Sequence, residues 1–69
     1  MEETFTTYID EVDANTTYLG SAPRGSSTAD DSWQIKKILV NGTITSITYP
    51  NGDAKMAYVW DSRSGYTYS

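Results

Sequence analysis

Between Trp33 and Tyr49 two stretches rich in β-branched and aromatic residues meet at Asn41-Gly42. Asn-Gly suits both central positions of a type I′ turn, where φ is positive and the twist of the turn matches that of the flanking strands. The pattern predicts a β-hairpin. Its register is open, because a one-residue slip moves every side chain of a strand to the opposite face. A two-residue loop sets Val40 against Thr43, Leu39 against Ile44 and Ile35 against Thr48. One face then holds Trp33, Ile35, Leu39 and Ile44, and the other Ile38, Val40, Ile47 and Tyr49. A three-residue loop pairs Val40 with Ile44 and gathers Trp33, Ile35, Leu39, Ile47 and Tyr49 on one side. In both registers apolar side chains stand on both faces, so the second face needs a cover. The N-terminal third of the chain or another copy could supply it.

The flanking segments extend the β pattern. Phe5 to Val12 alternates, Asp13-Ala14-Asn15 has turn composition, and Thr16 to Leu19 reads as a return strand ended by Gly20. This is an N-terminal hairpin over 5–19. Residues 20–32 form a connector of Gly, Pro, Ser, Thr and paired aspartates, long enough to lie as a surface loop or to carry the first hairpin onto another subunit. Pro50-Asn51-Gly52-Asp53 reads as a second turn and Ala54 to Trp60 as a further strand, making 33–60 a three-stranded meander. A tail over 61–69 holds a turn at Asp61 to Gly65 and an extended end at Tyr66 to Ser69. The expected fold class is all-β: one domain over 1–69, with a small antiparallel sheet of two hairpins completed by oligomerisation.

Oligomerisation enters because other means of stabilisation are missing. A chain of 69 residues buries only about 60% of the surface its unfolded form exposes. There is no cysteine and no histidine, which removes disulfides and zinc sites. The aromatic set of six tyrosines, two tryptophans and one phenylalanine is β and interface chemistry.

Charge is placed unevenly. Up to Asp31 there are seven carboxylates against Arg24 alone, a balance of −6; from Ser32 onward Lys36, Lys37, Lys55 and Arg63 oppose Asp53 and Asp61, a balance of +2. The two halves attract each other within one copy or between copies. A net charge of −4 argues against nucleic acid as a partner, since phosphate binding needs a basic surface. No apolar run matches a membrane span and no signal-peptide layout opens the chain, so the expectation is a soluble protein made in the cytoplasm, with no membrane partner. Asn15-Thr16-Thr17 and Asn41-Gly42-Thr43 match the glycosylation pattern and are read as turn chemistry.

Catalysis is not expected. Histidine and cysteine are absent, no serine sits in a glycine-framed elbow, and the pairs Asp10-Glu11 and Asp30-Asp31 point to opposite faces when on strands. Asp10, Asp13 and Asn15 could offer oxygens to calcium, but they lack the glycine and terminal glutamate of the twelve-residue loop. We expect no metal and no cofactor. Aromatic and aliphatic residues remain as candidates: Tyr8, Tyr18, Ile38, Val40, Tyr66 and Tyr68 for an interface, and Trp33 and Trp60 as a possible sugar platform or, more simply, as core. Arg63 could pair with Asp61 or stack on Trp60.

Three segments carry a resemblance: Thr16-Thr17-Tyr18-Leu19-Gly20, Ser32-Trp33-Gln34-Ile35-Lys36-Lys37-Ile38, and Val59-Trp60-Asp61-Ser62-Arg63 through Tyr66-Thr67-Tyr68-Ser69. Together they resemble small tailed-bacteriophage proteins of similar length that end in Trp-Asp-Asn-Arg and a short Tyr-Ser tail. Ser62 stands where that group usually has asparagine, and the run before Trp60 is less acidic. The resemblance implies a phage structural or accessory protein located in the virion. The leading expectation is therefore a non-enzymatic capsid decoration, tail or fibre subunit whose partners are other copies of itself or other virion proteins. The rivals are a module that binds host-surface glycan through exposed tryptophan, and an acidic inhibitor of a host nucleic-acid enzyme.

Overall fold

The computed structural model describes residues 4–69. Four strands, β1 (Phe5–Glu11), β2 (Thr16–Pro23), β3 (Gln34–Asn41) and β4 (Ile44–Thr48), form one antiparallel sheet in the order β1-β2-β3-β4. The all-β expectation holds, and each strand pairs with its sequence neighbour. Asp13 accepts hydrogen bonds at Oδ1 from the amides of Asn15 and Thr16 (2.8 and 2.9 Å), closing the first hairpin with local side-chain chemistry. The amide of Val40 donates to the carbonyl of Asn15 at 2.9 Å, which fastens that turn to β3. β2 continues past Gly20 to Pro23.

The central hairpin takes neither expected register. Asn41 pairs with Ile44, Val40 with Thr45, Ile38 with Ile47 and Lys37 with Thr48. Gly42 has φ of +64° and Thr43 a negative φ, the signature of a type II′ turn with glycine first. Relative to a turn centred on Asn41-Gly42 the strands have slid by two residues. The faces are therefore those of the two-residue-loop reading, and the slide sets Ile38 against Ile47 where that reading set it against Thr45. The type II′ geometry needs a positive φ only at glycine, so Thr43, a β-branched residue, stays out of the left-handed region.

Ala54 to Trp60 does not form the expected third strand of a meander. Pairing there is reduced to a single bridge between Trp33 and Tyr58. Asp53 supplies local bonds in place of a ladder, accepting from the Lys55 amide (3.0 Å) and the Tyr58 hydroxyl (3.0 Å). The chain then tightens into a 3₁₀ helix, η1 (Trp60–Gly65), at the place where a plain turn was expected. The final residues run back beside Tyr49 to Asn51: the Tyr49 and Ser69 amides each donate to the other's carbonyl, at 3.2 and 3.0 Å.

This C-terminal segment covers one face of the sheet. Tyr18, Ala22, Trp33, Ile35 and Trp60 are buried, with Tyr58, Tyr66 and Tyr68 packed around them. Trp33 meets Trp60 at 5.8 Å between ring centroids and Tyr8 at 5.2 Å, while Tyr18 meets Tyr68 at 5.6 Å. Gly20 lies under the Trp60 ring, where a β-carbon would collide with the indole. The connector is also tied down. The Trp33 indole N–H donates to the Ser27 carbonyl (2.9 Å), and the Asp61 amide donates to the Thr28 carbonyl (3.1 Å).

Candidate functional site

The register divides the sheet into two unlike faces. Side chains on one side of the pleat (Tyr8, Tyr18, Gly20, Ala22, Ile35) meet the C-terminal aromatic layer. Those on the other side include Phe5, Ile9, Leu19, Ile38, Val40 and Ile47, and no segment among the described residues is packed across them. The N-terminal third lies beside β3 as two more strands, so it widens the sheet and does not cover the second face. Ile9 and Ile47 are 65% and 55% exposed, a large cost in apolar surface left in water for a chain this small.

Exposed apolar side chains stand at both edges of the sheet, Phe5, Ile9 and Val12 on the β1 side and a second group at the β3–β4 hairpin. Leu39, Val40, Ile44 and Ile47 are all exposed, two on each face, because the aromatic layer does not reach the tip of the β3–β4 hairpin. At the other edge β1 carries Asp10 and Glu11. Asp10 Oδ2 accepts from Arg63 Nε and Nη2 at 3.1 and 2.9 Å. Arg63 lies 4.5 Å from the Trp60 ring centroid and donates through Nη1 to the Trp60 carbonyl (3.0 Å). The expected stack on Trp60 is present, but the carboxylate partner is Asp10 and not Asp61, whose side chain accepts from the Thr28 hydroxyl. This ion pair joins the acidic and basic halves within one copy.

The candidate residues fall into two groups. Ile38 and Val40 lie on the open face. Tyr8 is partly exposed at the rim of the aromatic layer, and Tyr18, Tyr66 and Tyr68 belong to that layer. Trp33 and Trp60 are 0% and 5% exposed, which corrects the expectation of an exposed indole available to stack on a sugar. Asp10 and Asp13, which might have offered oxygens to an ion, are engaged by Arg63 and by backbone amides, and no group of three potential metal ligands occurs among the described residues. Ile9, Ile44 and Ile47 were not singled out from sequence, although the same alternation that marked Ile38 and Val40 passes through Ile47. No protein-family model, curated protein or solved structure matches this chain. Function therefore has to be argued from the surface itself.

Proposed function

We propose that the protein is a non-enzymatic structural subunit that works by contact, associating with further copies of itself through the uncovered part of its sheet. The observation carrying this reading is the asymmetry of the sheet. One face is closed by the chain's own aromatic layer, and the other presents Ile9, Val40 and Ile47 to solvent around a half-buried Ile38. A single sheet with a bare apolar face gains by burying it, at about 25 cal/mol for each Å² removed from water. The resemblance to small phage proteins supports reading such a subunit as a virion component, a decoration or tail protein that binds its own kind or a neighbouring particle protein.

The test is solution mass by light scattering over a wide concentration range, with circular dichroism on the same samples. The expected result is a concentration-dependent oligomer whose β signal strengthens with assembly. A folded monomer at every concentration overturns the reading.

A further inference from the structure

The self-association reading leaves open which part of the molecule meets the second copy, and the inference drawn here rests on that reading. A four-stranded open sheet has two edges, each presenting outward backbone N–H and C=O groups to any strand that comes alongside. The edges differ. β1 is acidic, with Asp10 and Glu11, and joining two β1 strands would bring like carboxylates together. β4, Ile44-Thr45-Ser46-Ile47-Thr48, holds no charge, no proline and no glycine, so it has none of the side-chain devices that ordinarily blunt an edge. It is also where exposed aliphatics gather on both faces, with Ile44 and Leu39 on one and Ile47 and Val40 on the other.

The backbone geometry is equally specific. A two-residue hairpin places its hydrogen-bonded pair next to the turn, so Ile44, Ser46 and Thr48 bond to β3 while Thr45 and Ile47 aim their amide and carbonyl groups outward. Tyr49, next in the same phase, already uses its outward groups on Ser69. Among the described residues, no backbone partner outside the sheet is recorded for Thr45 or Ile47.

We propose that a second copy of this chain pairs its β4 antiparallel to this one about a two-fold axis through Thr45, giving a continuous eight-stranded sheet. In that register Thr45 of each copy exchanges both backbone bonds with its symmetry mate, and the Ile47 amide donates to the Thr43 carbonyl of the other copy. Ser69 keeps its place opposite Tyr49, because the second strand reaches only as far as Ile47 before its own turn. On the face shared with Leu39, Ile44 sits diagonal to its symmetry mate, and on the open face the Ile38 and Ile47 pair of each copy flanks the junction. Two-fold pairing consumes both β4 edges and leaves only the acidic β1 edges outside, so the association closes at two.

The decisive variant is Thr45→Pro in the full chain. Proline at an outward-facing amide of an edge strand removes no bond to β3 but abolishes the bond to the partner. Ile9→Lys, on the same open face but on β1, is the comparison. The expected outcome is a wild-type dimer, loss of the dimer in Thr45→Pro with the circular dichroism of the dilute, unassembled wild type retained, and a dimer intact in Ile9→Lys. Amide exchange of the wild type adds a readout free of substitution: Thr45 and Ile47 amides slow as concentration rises. A dimer that survives Thr45→Pro, with Thr45 and Ile47 exchange independent of concentration, overturns edge pairing while leaving self-association standing. Loss of association in Ile9→Lys alone assigns it to face-to-face packing and also overturns edge pairing. A wild type monomeric throughout overturns both readings.

Discussion

At the scale of single residues, the covered face turns on Gly20 and Arg63. Gly20 lies so close under the Trp60 ring that any β-carbon there collides with it, so Gly20→Ala forces the indole out of its seat. Overpacking of this kind costs about 2 kcal/mol. Urea denaturation of Gly20→Ala should show that loss, with the near-ultraviolet dichroism of the tryptophans changed as well. Arg63 spans three partners: the Asp10 carboxylate, the Trp60 ring and the Trp60 carbonyl. Lysine keeps the charge but cannot stack as a plane or hold two acceptors in a fixed fork. Arg63→Lys should therefore cost about 1 kcal/mol, and Asp10→Asn less than that, since a partly exposed ion pair contributes little beyond its geometry. Equal losses in the two variants would assign the whole effect to the ion pair. In the resemblance to phage proteins, Trp60, Asp61 and Arg63 are the motif that carries the ending. Here all three hold the fold: Trp60 seats on Gly20, Asp61 clasps Thr28 and Arg63 locks Trp60 to β1.

At the scale of elements, the same dipeptide has two outcomes. Asn51-Gly52 takes the type I′ geometry, with φ of +53° and +68° and the Asp53 amide donating to the Pro50 carbonyl at 2.9 Å. Asn41-Gly42 does not; Asn41 stays in the strand and glycine leads the turn. Replacing asparagine by alanine should separate them. Asn51→Ala removes the polar side chain that lets asparagine tolerate the left-handed region and should cost about 1 kcal/mol, whereas Asn41→Ala should stay within about 0.5 kcal/mol. Chemical denaturation of the two variants checks the contrast. Local chemistry made both turns legible in the sequence, along with the strands on either side, because alternation and turn residues act within a few positions. Register was not legible, because it depends on which pairs meet across strands: sliding by two preserves the faces but brings Ile38 to Ile47. Ala54 to Trp60 alternates like a strand, yet Trp60 is needed over Gly20, forty residues upstream in sequence and invisible to any local pattern. The open face was legible as an excess of apolar residues. The exposure of Leu39 and Ile44 on the other face as well required knowing that the aromatic layer stops short of the hairpin tip.

At the scale of the whole molecule, the two halves of the sequence form a single structural unit. β2 lies between β1 and β3 and supplies Tyr18 and Ala22 to the core, so removing 1–32 strips half the sheet from the aromatic layer. The remainder should lose its β dichroism, since two strands with one uncovered face are marginal in water. The aromatic layer also sets how the molecule responds to pH. Tyr68 donates its hydroxyl to the Arg63 carbonyl at 2.7 Å. Burial, and then the proximity of Tyr18 and Tyr66, raises its pKa above the ordinary tyrosine value of 10.0, against a smaller opposing pull from Arg63. A raised pKa in the folded state means that the native chain holds this proton after the unfolded chain has released it. The associated stability is fully present below pH 10 and falls as pH rises from there toward the folded-state value. Thermal unfolding followed by dichroism should show a melting temperature insensitive to this group below pH 9 and declining above pH 10. Tyr68→Phe loses the hydrogen bond and starts about 1 kcal/mol less stable at neutral pH. With no proton to release at that position, it should decline less steeply above pH 10, and parallel declines in the two proteins would remove Tyr68 as the source.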